Sequence, residues 1–124
     1  MSMKKILIAD DEFALRFLLT ETLADEGYEI VEAEDGQEAV LALGEHTFDL
    51  IILDYMMPEK TGVEVCQWLR ASGNANVDVP VILLTAKTQE KDREKAMEVG
   101  VTTYMIKPFS PLQLLDVVAD LLQG

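Results

Sequence analysis

The chain alternates between short apolar runs and longer amphipathic stretches. Runs at 5–9, 28–33, 49–53, 80–84 and 102–106 are rich in Ile, Val and Leu, and each has the length of one strand. Leu50-Ile51-Ile52-Leu53 and Val81-Ile82-Leu83-Leu84 contain no polar residue. Unbroken apolar runs of this kind fit parallel strands covered by helices on both faces. The intervening stretches predict helices over 12–26, 36–45, 61–72, 88–99 and 110–123. In the first, Leu15, Leu18, Leu19 and Leu23 form the expected buried stripe. Gly27 and Gly100 fall where the first and fourth helices should stop, as C′ residues. Ser110 followed by Pro111 reads as the N-cap and first position of the last helix. The loosest segment is Ala71-Ser72-Gly73-Asn74-Ala75-Asn76, expected to be a loop. Strict alternation of strand and helix, with right-handed crossovers, predicts an α/β doubly wound sheet with about five strands.

Length and composition narrow the picture. A chain of 124 residues fits one domain, expected to run over 1–124. Hydrophobic residues make up 49%, enough for an ordinary core. The net charge of −13 argues against direct binding to nucleic acid or an anionic membrane, both of which rely on basic surface. Cys66 is the only cysteine, so no intrachain disulfide can form, which fits a reducing compartment. The start, Met1-Ser2-Met3-Lys4-Lys5, does not read as a signal peptide, and no apolar run reaches the length of a membrane span. The expected location is cytoplasmic.

The chemistry lies where the apolar runs end. Asp10 and Asp11 follow the first run, Asp54 the third, Thr85 the fourth and Lys107 the fifth. In an open parallel sheet the carboxyl ends of the strands line the ligand crevice, so these residues are expected to meet. Three carboxylates repel one another at neutral pH, and a hard divalent cation with oxygen ligands answers that repulsion. A hydroxyl and an ammonium beside such a cation suit a phosphoryl group. Taken singly, most have a plainer reading. Asp11 could cap a helix, Thr85 could cap or turn, and a lone lysine before proline is usually a solvated charge. Asp54 is less easily dismissed, because Tyr55-Met56-Met57-Pro58 follows it and no helix starts at once.

The pattern resembles the receiver domain of two-component response regulators, chemotaxis-regulator-like in form. The resemblance rests on Asp10-Asp11, on Asp54 with Met56-Met57-Pro58 and Gly62 behind it, on Leu84-Thr85-Ala86 and on Lys107-Pro108-Phe109, and it spans nearly the whole chain. It implies a flavodoxin-like fold with strand order 2-1-3-4-5. It implies that Asp54 accepts a phosphoryl group from a sensor histidine kinase or phosphotransfer protein. Mg²⁺ would be held by Asp11 and Asp54 directly, by Asp10 largely through water, and by the backbone carbonyl of Met56. Thr85 would hydrogen-bond the phosphoryl group and Lys107 would pair with it. Ala86 would leave the group accessible, while Met56 and Lys87 fall at positions that tune its lifetime. The Lys107-Pro108 bond is often cis in the family, and the sequence allows either isomer.

The resemblance further implies that Thr85 and Tyr104 form the switch, with Tyr104 turning inward as Thr85 moves. Without it, Tyr104 reads as a half-buried strand aromatic with its hydroxyl in water. The expected output face includes the fourth and fifth helices. The mixed charges Glu90, Lys91, Asp92, Arg93, Glu94, Lys95 and Glu98 there fit a solvated face or a dimer through the 88–123 surface. His46 is expected to be exposed in a loop, and Trp68 to pack or to meet a partner. The downstream target is not encoded in any motif.

Three other classes fit less well. A metal-dependent phosphatase with an aspartate nucleophile would want a second Asp where Met56 stands. A flavin carrier would want a Ser/Thr/Gly-rich loop where Asp10-Asp11-Glu12 stands. A receiver that has lost its chemistry would not retain the whole set of Asp10, Asp11, Asp54, Thr85 and Lys107.

Overall fold

A computed structural model of the chain describes residues 3–86 and 89–123. Five strands alternate with five helices: β1 (Lys5–Ala9), α1 (Phe13–Ala24), β2 (Glu29–Ala33), α2 (Gly36–Glu45), β3 (Leu50–Asp54), α3 (Gly62–Ala71), β4 (Val81–Thr85), α4 (Glu90–Glu98), β5 (Thr103–Ile106) and α5 (Pro111–Gln123). All strand pairs are parallel, and the order is β2-β1-β3-β4-β5. Both the elements and the order agree with expectation, with ends shifted by one or two residues. Two of those shifts matter: Asp54 and Thr85 are the last residues of their strands.

Burial follows strand position. β3 and β4 are buried at every residue and β1 at all but Lys5, whereas the edge strands β2 and β5 are half-open. Successive side chains point to opposite faces of a strand, so the sheet divides its own residues between two cores. Leu7, Ala9, Ile51, Leu53, Val81 and Leu83 pack with α2, α3 and α4. Ile6, Ile8, Leu50, Ile52, Ile82 and Leu84 pack with Leu19 and Leu23 of α1 and Leu114 and Val118 of α5. Burying each of these large side chains contributes about 1.5–3 kcal/mol, so both cores carry real weight in folding.

The expected stripe on α1 needs one correction. Leu19 and Leu23 are buried and Leu15 is half-buried, but Leu18 is 47% exposed. At 100° per residue, Leu18 lies to one side of Leu19 and off the face that meets the sheet; the buried position on the opposite flank belongs to Arg16.

Helix ends follow local chemistry. Gly27 and Gly100 have φ of 91° and 101°. At Gly100 the amide reaches the Met97 carbonyl and the Val101 amide reaches Ala96, the paired bonds of a Schellman stop. Ser110 Oγ accepts from the Gln113 amide at 3.1 Å, as its capping role requires. The stretch after Ala71 is a loop, as expected, and it is tightly bonded. The buried Asn76 donates to the Leu43 and His46 carbonyls and accepts from the Phe48 amide at 2.7 Å. His46 is half-buried, its Nδ1 2.9 Å from Lys5 Nζ and its ring tilted against Phe48. Lys87 and Thr88 lie outside the described residues, and with them the tuning role of Lys87 and the first residue expected of the fourth helix.

Gly62 fixes the path of the chain behind Asp54. Its amide donates to the Tyr55 carbonyl at 2.9 Å, and a Cβ there would lie 2.5 Å from the Asp54 carbonyl oxygen and 2.7 Å from Leu83 Cδ1. Because the nearer obstacle is backbone, it cannot swing aside. Gly62→Ala should therefore lower stability by about 1–3 kcal/mol. In urea unfolding this is expected as a lower midpoint at unchanged slope.

Candidate active site

Strand register brings the acidic residues together. Ala9 of β1 pairs with Leu53 of β3, so the next residue on each strand, Asp10 and Asp54, stand side by side at the carboxyl edge. Asp11 follows at the start of the loop into α1. Carboxylate oxygens of Asp10, Asp11 and Asp54 all lie within 4.8 Å of one another. Asp10 is fully buried, Asp54 is 5% exposed and Asp11 is open to solvent. The cluster thus has a dry floor and a wet rim.

From the other side of Asp54, Lys107 closes the group. Its amide donates to the Thr85 carbonyl at 2.8 Å, which sets the loop after β5 beside β4. The Lys107-Pro108 bond is cis. Lys107 Nζ lies 2.9 Å from Asp54 Oδ1, an ion pair with its acid partner nearly buried. Thr85 is 1% exposed at the end of β4. Tyr104 pairs with Leu83 across the β4–β5 ladder and so shares the face of Thr85, to which its phenol is hydrogen-bonded. Burial pushes the Tyr104 phenol up, and the Thr85 bond opposes this in part. Tyr104 is half-buried, as its strand pattern suggests, and the two residues assigned to a switch are in contact.

Met56 lies in the loop after β3, with its side chain 61% exposed at the rim; Met57 turns inward. Glu59 in the same loop has a φ of 71°, an uncommon backbone state for a residue with a Cβ. The loop is tied to its neighbour, because the Gly36 amide at the start of α2 donates to the Pro58 carbonyl at 3.1 Å.

The residues present fit a divalent cation. Asp10 Oδ1 accepts from the Glu12 amide at 2.9 Å, whereas Oδ2 is buried with no hydrogen-bond partner among the described residues. A buried carboxylate oxygen without a partner is costly unless a cation, a proton or water answers it. Oxygen-only donors in a carboxylate cluster suit Mg²⁺ or another hard ion.

One contributor was missed from the sequence. Arg16 is 5% exposed, and its Nη1 donates to the Asp10 carbonyl at 2.7 Å. Its signal was a charge between Leu15 and Leu19 on an apolar helix face, where a solvated residue does not belong. Also unforeseen are Phe13 and Phe17 of α1, 68% and 55% exposed and stacked with centroids 6.1 Å apart. Separately, a groove of about 200 Å³ is lined by Leu15, Lys107, Pro108 and Phe109.

With fold and cleft described, comparison places the chain in a class. Residues 6–119 match the response regulator receiver domain family, and the chain belongs to it. It is 44% identical over 119 residues to the transcriptional regulatory protein ResD of Bacillus subtilis, covering 96% of this chain and 48% of that protein. The chain spans about half the length of the curated relatives it matches. Among solved structures, the chemotaxis protein CheY4 of Vibrio cholerae is similar, with a TM-score of 0.90, 34% identity and coverage of 97% of this chain and 99% of that one. The receiver domain of sensor histidine kinase PA1611 from Pseudomonas aeruginosa has a TM-score of 0.88 at 27% identity, covering 99% of this chain and 100% of that one. It holds a magnesium ion in its active-site cleft. Among the described residues no helix is long and apolar enough to cross a membrane.

The acidic cleft should make stability depend on pH. Burial raises the Asp10 carboxyl from 3.8 to about 6, opposed by the Glu12 amide and assisted by the charge of Asp54. Between pH 4 and pH 6 the folded chain therefore holds a proton that the unfolded chain has released. Stability from this group is greatest below about pH 4 and is lost as the pH rises towards 6, by about 3 kcal/mol at most. Metal binding only to the folded chain should restore it at neutral pH. Urea unfolding of the wild type and Asp10→Asn in EDTA checks this. The stability difference between them should change across pH 4–6, and parallel curves would refute the assignment.

Proposed function

We propose that the chain, over residues 1–124, works as a phosphorylation-activated switch of a two-component phosphorelay. The reading rests on one arrangement: Asp54 within 4.8 Å of two further carboxylates and 2.9 Å from the Lys107 ammonium. A carboxylate oxygen of Asp54 attacks the phosphorus of the donor. The bond to the donor's leaving group breaks, the leaving group takes the electron pair, and an aspartyl phosphate remains on Asp54. Phosphoryl transfer depends mainly on alignment and charge stabilisation, so a site of fixed charges suffices.

Mg²⁺, when bound, offsets the carboxylate charge and stabilises the oxygens of the transferring group. Asp11 and Asp54 would hold it directly, Asp10 through its free oxygen or a water, and Met56 through its carbonyl. Lys107 leaves its ion pair with Asp54 and pairs with the new phosphoryl oxygens. Thr85 donates its hydroxyl to the same group, which competes with its bond to Tyr104. That competition is how the state of Asp54 reaches the α4–β5–α5 face, as a population shift between conformers. The chain catalyses its own phosphorylation and hydrolysis and is no turnover enzyme. Met56 occupies the place where an aspartate-nucleophile phosphatase needs an acid, and a thioether donates no proton.

The phosphoryl donor is a histidine kinase or phosphotransfer protein. The exposed Phe13–Phe17 stack and the groove beside Lys107 support docking of that donor at the mouth of the cleft. The α4–α5 surface, within 88–123, is left for a dimer or a downstream protein.

Intact mass after incubation with acetyl phosphate and Mg²⁺ tests the chemistry. One phosphoryl group should add to the wild type, require Mg²⁺ and be absent from Asp54→Asn. An adduct on Asp54→Asn, or one indifferent to metal, would overturn the reading. Phe17→Ala tests the donor surface. It should slow transfer from a protein donor far more than it slows labelling by acetyl phosphate, and equal slowing would remove the surface from the account.

A further inference from the structure

We infer that Arg16 is a positioning residue of the cleft: its guanidinium fixes the Asp10–Asp11 peptide so that both carboxylates face the metal. The inference rests on the metal-binding reading of the cleft. A charged side chain is rarely buried unless paired, and Arg16 is 5% exposed. Three of its nitrogens reach three different acceptors. Nη1 donates to the Asp10 carbonyl at 2.7 Å, Nε to Glu32 Oε1 at 3.0 Å and Nη2 to Glu34 Oε1 at 3.5 Å. The acceptors belong to the end of β1, to β2 and to the loop after β2.

Only the carbonyl bond is buried. Glu32 and Glu34 have side chains 45% and 67% exposed, so they balance the guanidinium charge at the surface and aim the fork. With its charge balanced in this way, Arg16 acts on the cleft through geometry. A peptide is planar, so fixing the Asp10 carbonyl fixes the plane from which both Asp10 and Asp11 project. Asp10 is then held at three points: its amide on the Ala33 carbonyl at 3.1 Å, its carbonyl on Arg16 and its Oδ1 on the Glu12 amide. What these leave over is Oδ2, the buried oxygen without a partner among the described residues. The grip extends further, because Gly36, two residues beyond Glu34, bonds Pro58 in the loop that follows Asp54. Arg16 therefore ties the Asp10 peptide at the end of β1 to β2 and to the loop after β2.

Lysine keeps the charge but has no planar fork, so Arg16→Lys separates geometry from charge. Calorimetric titration of MgCl₂ into the wild-type chain and Arg16→Lys, with folding checked by circular dichroism, provides the test. Groups that orient metal ligands typically change affinity by about 10–100-fold when replaced, and a loss in that range is expected here. The Mg²⁺ concentration giving half-maximal labelling by acetyl phosphate should rise by the same factor, with little change in rate at saturating Mg²⁺. Glu32→Ala removes one anchor of the fork from the exposed edge strand and leaves the core intact. It should give a smaller loss of the same sign, and it remains informative if Arg16→Lys does not fold. Lower thermal stability with wild-type Mg²⁺ affinity in the folded variants would overturn the inference and leave the receiver reading standing. A wild-type chain that binds no Mg²⁺ would overturn both.

Discussion

The mutual repulsion of Asp10, Asp11 and Asp54 is the constraint around which this molecule is organised. Parallel pairing of β1 with β3 forces the first and last of these side by side at the carboxyl edge. Charges so close interact strongly when water is excluded, and Asp10 is fully buried. The fold answers with side chains from distant elements. Lys107 reaches Asp54 from the loop after β5, and Arg16 reaches the Asp10 carbonyl from α1. The excess negative charge is not removed, and the Asp10 carboxyl stays raised, chiefly by its burial and further by the charge of Asp54. A pocket left short of positive charge is suited to take up a metal ion and a transferable group.

The same constraint explains why the two faces of the sheet serve different ends. Asp10 and Asp54 continue the register of Ile8 and Ile52, whose face is covered by α1 and α5. Thr85 continues that of Leu83, on the face of α2, α3 and α4, where Tyr104 packs. On the proposed reading, chemistry is built on residues of one face and readout begins on the other, where Thr85 at the strand end bonds Tyr104. The Phe13–Phe17 stack adds an exposed apolar surface on α1, which covers the opposite face of the sheet from α4.

Much of this was legible without coordinates. Apolar runs at 50–53 and 81–84 could be stable only beneath two layers of helix, and the order of Asp10, Asp54, Thr85 and Lys107 after successive runs placed the cleft. Gly100 and Ser110 marked helix ends through purely local bonds, which is why they were readable. The Ala71–Asn76 stretch was legible as a loop but its order was not, because that order comes from Asn76 bonding Leu43, His46 and Phe48, partners about 30 residues away. Leu18 was assigned to the core because helical spacing gives a stripe but not its width.

Sequence by itself determined the alternation of elements, the two-faced strands and the identity of the reactive groups, since these follow from local hydrophobic period and side-chain chemistry. Tertiary structure alone decided what depends on distance between remote residues. It paired Thr85 with Tyr104, left Asp10 Oδ2 without a partner among the described residues, buried Arg16 against the Asp10 carbonyl and set Lys107 on Asp54. Periodicity reports which way a side chain faces along its own element. Which charge it then meets is fixed by register and crossover, and no window of sequence contains both.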